Sequence, residues 1–154
     1  MLPSEPKGAP APTPLISEAQ LRRERLRFSD FRMARTPSGR SAAHVELEWI
    51  DGVRVHGGAD GQTSELGDLR LAAEAALRAL ERFSGGALSF ELIGVKLLRA
   101  FDANVVIISV DVKQDDGPRR LLGCYLAERD VSRGAVLAVL NATNRVLGNF
   151  IATR

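Results

Sequence analysis

Twice along this chain, strand-type patterning gives way to one long stretch of helical patterning, and a chain built this way has few folds open to it. HVELEWIDGVRVHG alternates with a period of two, setting Val45, Leu47 and Trp49 against His44, Glu46 and Glu48. Asp51-Gly52 marks a tight hairpin within it. A two-residue loop would oppose Trp49 to Arg54 and mix polar with apolar side chains on both faces. A three-residue loop, Ile50-Asp51-Gly52 with Gly52 left-handed, pairs Trp49 with Val53, Leu47 with Val55, Glu48 with Arg54 and Glu46 with His56. That register leaves one apolar and one salt-bridged face, so it is the expected one. His44 and His56 then share the wetter face. After GGADGQTSEL, read as a connecting loop because it matches neither GxGxxG nor a P-loop, the pattern changes. Leu69, Ala73, Ala76, Leu80 and Phe83 fall on a helical seam, with Glu65 and Asp68 near its start.

The second half follows the same order. Residues 87–101 form a long strand-like run. Residues 104–113, NVVIISVDVK, are apolar on both faces and predict a central strand. QDDGP is a turn, RRLLGCYLAE a further strand, and Asp130 caps a second helix, VSRGAVLAVLNATNRVL, closed by Gly148. The expected class is α+β: two βββα units with pseudo-twofold symmetry, a mostly antiparallel sheet packed against two helices.

Charge separates the leader from the body. Residues 1–40 hold eight Lys/Arg against four Asp/Glu, and residues 41–154 hold thirteen against fifteen. Residues 1–16 read as a Pro/Ala-rich disordered tail, 17–27 as a short basic helix or linker with Ser17 as N-cap, and 28–154 as a single domain. Arg22, Arg23, Arg25 and Arg27 are the contacts an RNA- or ribosome-binding protein would use. Glu18 and Glu24 dilute that charge, so a solvated helix face is the favoured reading. No uninterrupted apolar run reaches the ~18 residues of a membrane span, and the N-terminus lacks the apolar core of a signal peptide. A cytoplasmic protein without a membrane partner is expected. The single Cys124 cannot form an internal disulfide and reads as a buried core thiol.

On a helical wheel the last helix carries a broad apolar face, from Val131 and Ala135 to Val146 and Leu147. Thr143 lies within that face, where its hydroxyl can bond back to a carbonyl one turn earlier. Arg133, Leu137, Asn141, Asn144 and Arg145 fall outside it. Ala135, Ala138 and Ala142 make a small-residue edge that lets another element come close. Asn141 and Asn144 interrupt an otherwise apolar helix, which marks either a solvated face or a contact surface.

Residues 101–148 resemble the C-terminal regulatory, dimerisation domain of 2-isopropylmalate synthase. The residues that carry the likeness are Asp102-Ala103, Gly123, Asp130, and Leu140-Asn141-Ala142 with Asn144-Arg145. The likeness implies two βββα units, a homodimer, a small amino-acid effector such as leucine, and control of a separate synthase catalytic subunit. It makes Asp102, Ala103, Asp130, Asn141, Asn144 and Arg145 ligand-binding or interface candidates, to which the wheel adds Leu137 beside the two asparagines. It does not imply synthase activity, because 154 residues cannot also hold a ~250-residue barrel and no His-x-His motif is present. No catalytic residue, metal ligand or cofactor is assigned. The leading expectation is a non-catalytic regulatory domain. The alternatives are an RNA- or ribosome-associated protein and a small enzyme subunit without a recognisable motif.

Overall fold

The computed structural model describes residues 26–114 and 116–152. The chain is an α+β protein of two βββα units. Strands β1 (Arg27–Arg35), β2 (Arg40–Glu48) and β3 (Arg54–Gln62) form one antiparallel sheet and lead into helix α1 (Glu65–Phe83). Strands β4 (Ser89–Ala100), β5 (Ala103–Gln114) and β6 (Gly117–Ala127) form a second and lead into α2 (Val131–Ala152). Each helix covers its own sheet, the two helices pack on each other, and α1 also reaches β4.

The β2–β3 hairpin takes the three-residue loop. Leu47 opposes Val55, Glu48 opposes Arg54 and Glu46 opposes His56. Trp49 N–H donates to the Val53 carbonyl at 2.8 Å, and Gly52 is left-handed at φ 85°. The helical seam is also as read: Leu69, Ala73, Ala76, Leu80 and Phe83 are all buried. Ser64 caps α1 by accepting from the Gly67 N–H at 2.9 Å. Valine and isoleucine at alternate positions of β5, Val106, Ile108, Val110 and Val112, fill the second half of the core.

Four expectations are corrected. GGADGQ is not a loop, because β3 runs through it to Gln62. Gly57 serves close packing: a methyl there would overlap the Ala75 carbonyl oxygen and the Ala79 nitrogen, so α1 rests directly on the strand. Gly148 does not close α2. The helix continues to Ala152, and its last turn brings the Phe150 ring to 6.4 Å from that of Phe83. Apolar packing outweighs the helix-breaking tendency of one glycine. Cys124 is exposed, since odd-numbered residues of β6 from Leu121 to Ala127 face α2 and Cys124 lies on the opposite side. Of the expected short basic helix or linker over 17–27, residues 17–25 lie outside the described residues, and Arg27 begins β1 and is exposed.

The same glycine device recurs in the second unit. A methyl on Gly123 of β6 would overlap the Ala138 carbonyl oxygen and meet the Ala142 nitrogen at 2.6 Å. The small-residue edge of the last helix is therefore the seat of β6. Helix α2 has the length and composition of a membrane span, but Val136, Val139, Val146 and Leu147 are buried in the core of this domain.

Candidate functional site

The corner between β6 and α2 gathers charged groups around a helix N-terminus. Asp130 sits at its centre. Its Oδ1 accepts from the Arg133 N–H at 3.1 Å, and its carbonyl accepts from the Gly134 N–H at 3.0 Å. This is the expected N-cap. A Cβ on Gly134 would stand 2.9 Å from that of Ala127, so glycine lets the first turn of α2 lie against the end of β6. The Arg133 guanidinium lies 4.8 Å from the centre of the Phe28 ring, a cation–π contact tying the corner to β1.

Two clefts flank this corner. One, of about 460 Å3, is lined by Tyr125, Leu126, Ala127, Glu128, Arg129, Asp130, Arg133, Gly134 and Leu137. The other, of about 400 Å3, opens between β1 and α2 and is lined by Phe31, Met33, Arg35, Asp130 and Ser132. Of the candidates read from sequence, Asp130 lines both and Leu137 lines the first.

The remaining candidates are dispersed. Asn104 opposes Ala127, so the β4–β5 tip with Asp102 and Ala103 lies at the same end of the sheet as the corner, yet neither residue lines either cleft. Phe101 and Asp102 form the two-residue tip with positive φ of 53° and 58°. Asparagine and glycine are the usual occupants of such a turn, and Phe101 is 94% exposed. Asn144 lies fourteen residues past Asp130, ~21 Å along the helix axis at 1.5 Å per residue, and with Arg145 it faces solvent. Arg22, Arg23 and Arg25 lie outside the described residues.

Asn141 has a structural task. Its Oδ1 accepts from the Cys124 N–H at 3.2 Å, along the free edge of β6. It therefore occupies a backbone donor that would otherwise invite another strand. Thr143 is buried and donates to the Val139 carbonyl at 2.8 Å, as its place on the wheel required. Asn141→Leu is expected to cost about 1 kcal/mol through loss of this bond and to raise the tendency to aggregate. Urea titration and light scattering of the heated variant measure the two effects.

Sequence reasoning missed Glu128, Arg129, Arg133 and Tyr125 as cleft residues. The signal was the charged run Glu128-Arg129-Asp130 between a strand and a helix, where a corner concentrates side chains. The first sheet's outer face is the salt-bridged face that the hairpin register predicts, with Arg54 meeting Glu46 as well as standing opposite Glu48. There His44 and His56 stack at 5.3 Å between ring centres, and the Glu46 carboxylate lies 3.4 Å from Arg54 and 3.6 Å from His56. On the same face Arg32 bonds Asp30 at 2.8 Å and holds its carboxyl below the usual carboxylate range. Arg120 does the same for Asp111 on the second sheet. Among the described residues, no group of three or more His, Cys, Asp or Glu is placed to hold a metal ion. The sequence matches no protein-family model and no curated protein.

Proposed function

We propose that this chain is a non-catalytic regulatory domain that binds a small amino acid in the cleft at the N-terminus of α2. The observation that carries this reading is the lining of that cleft. Glu128 and Asp130 supply carboxylates for an ammonium group, Arg129 and Arg133 supply cations for a carboxylate, and Leu126, Ala127 and Leu137 supply an apolar wall. A free α-amino acid with an aliphatic side chain presents the same three chemistries. The N-terminal end of a helix adds a favourable field for the carboxylate. A volume of about 460 Å3 lies within the range of small-molecule sites. The resemblance to the leucine-sensing domain of 2-isopropylmalate synthase supports the same ligand class. In that setting the domain acts on a separate catalytic subunit.

Isothermal titration of the full chain with leucine, isoleucine and valine tests the reading. Binding of at least one is expected, weakened by about tenfold or more in Arg133→Met, where a charged hydrogen bond is lost. Absence of heat with all three, confirmed by unchanged amide chemical shifts, rules the reading out.

A further inference from the structure

The whole chain holds two histidines, and the fold brings them together. His44 on β2 and His56 on β3 share the outer face of the first sheet. Gly58 stands opposite His44 and offers no side chain, so the His44 ring has room to lean toward its diagonal neighbour His56. The rings stack with 5.3 Å between centres and 21° between planes. His44 Nε2 and His56 Nδ1 stand 3.3 Å apart. Tetrahedral zinc, with bonds to nitrogen of ~2.0–2.1 Å, holds two of its ligands ~3.3–3.4 Å from each other. The square-planar geometry of copper would draw adjacent nitrogens to about 2.9 Å.

We propose that His44 Nε2 and His56 Nδ1 chelate a zinc ion, with water in the remaining positions and the Glu46 carboxylate beside it. In the ion-free pair one of these nitrogens donates its proton to the other. On binding, that proton moves to the far nitrogen of its own ring, so both imidazoles stay neutral and both facing nitrogens become ligands. Glu46 Oε1 is held by Ser29 at 2.8 Å and by Arg54 at 3.4 Å, while Oε2 lies 3.6 Å from His56 Nδ1. Oε2 is thus set to accept a hydrogen bond from water on the ion. Arg32 stands opposite His44 but is bonded to Asp30 at 2.8 Å, so neither arginine of this face is without a carboxylate. With Glu48, three carboxylates face two guanidiniums, a balance that favours a cation. Among the described residues no third His, Cys, Asp or Glu is placed as a ligand, so the site is open and its ion exchangeable. A pair of imidazoles selects against Ca2+ and Mg2+, which take oxygen ligands. Cys124, the one thiol of the chain, is far from the pair: it lies on the outer face of the second sheet, apolar and open around it, where Leu122 and Leu126 are 68 and 46% exposed. The histidines line neither cleft at the start of α2, so zinc and amino-acid binding are separate readouts.

Isothermal titration of the full chain, without an affinity tag, with ZnCl2 tests the proposal. One ion per chain is expected, with a Kd below about 100 µM. His44→Ala and His56→Ala are each expected to weaken binding by about 100-fold or more, because a chelate becomes a single contact. Glu46→Gln is expected to weaken it about tenfold. Cys124→Ser and an excess of MgCl2 are expected to leave it unchanged. His44 is exposed and His56 partly so, and circular dichroism checks that each variant is folded. No heat up to about 1 mM zinc, with the histidine ring signals unmoved by NMR, overturns the proposal. So does binding that survives both histidine substitutions, binding lost in only one of them, or binding lost in Cys124→Ser. An unchanged affinity in Glu46→Gln overturns the part given to that carboxylate.

Discussion

Valine at Gly57 or Gly123 is expected to destabilise this protein by at least about 3 kcal/mol, lowering the melting temperature by roughly 10 °C. Both glycines lie on the third strand of their unit, on the face that meets the following helix. The atoms a Cβ would strike are backbone: the Ala75 carbonyl and Ala79 nitrogen at Gly57, and the Ala138 carbonyl and Ala142 nitrogen at Gly123. A rotamer change cannot relieve such a clash, so the whole helix must lift from its sheet. The lift reaches Leu69 and Leu80 in one unit and Val139 and Val146 in the other, all fully buried. Interiors packed at crystal density transmit such a displacement rather than absorbing it. Gly148→Ala is the control. It sits in α2 with nothing within 4 Å of an added methyl, and is expected to stabilise by about 0.5–1 kcal/mol. Urea unfolding followed by circular dichroism reports all three values. A loss under about 1 kcal/mol at both Gly57 and Gly123 would show that the helices are free to move.

Arg35→Met is expected to cost about 2–3 kcal/mol, most of it recovered when Asp68→Asn is added. Asp68 lies in the first turn of α1 and is 2% exposed. Its Oδ2 accepts from Arg35 Nε at 3.1 Å and from Nη2 at 2.7 Å, while its Oδ1 has no hydrogen-bond partner among the described residues. Removing the arginine leaves a buried carboxylate without its counter-charge, and burying an unpaired charge costs more than forming the pair gains. The Arg35 side chain is 64% exposed, so water softens the loss below that of a fully enclosed pair. The ion pair fastens the end of β1 to α1. Arg35 also lines the cleft beside Asp130. A double-mutant cycle by urea unfolding isolates the coupling. Equal losses in the single and double variants would assign the cost to packing of the arginine stem instead.

Much of this architecture was legible residue by residue. The hairpin register followed from requiring Leu47 and Val55 on one face and Glu46 and His56 on the other, because a slip by one residue inverts every side chain. The α1 seam and the Asp130 cap were local patterns. Gly57 and Cys124 were misread for one shared reason: their surroundings come from another element. Gly57 looked like a loop glycine until α1 was laid on it. Cys124 looked like a core residue within LLGCYLA, because an apolar run does not say which of its faces the sheet turns outward.

Of the candidate residues, Asp130 and Leu137 line the cleft at the start of α2, while Asn141 serves the edge of β6. Arg129 and Arg133 carried no periodic signal, since a corner is defined by where two elements meet. The sequence by itself determined the order of elements from β2 onward, the hairpin register and the Asp130 cap, because period, turn chemistry and capping act over a few neighbouring residues. Only the tertiary structure decided which glycines bear a helix, which sheet face stays apolar and open, and which charges converge at the start of α2. Those depend on contacts between segments far apart along the chain, and local patterning carries no record of them.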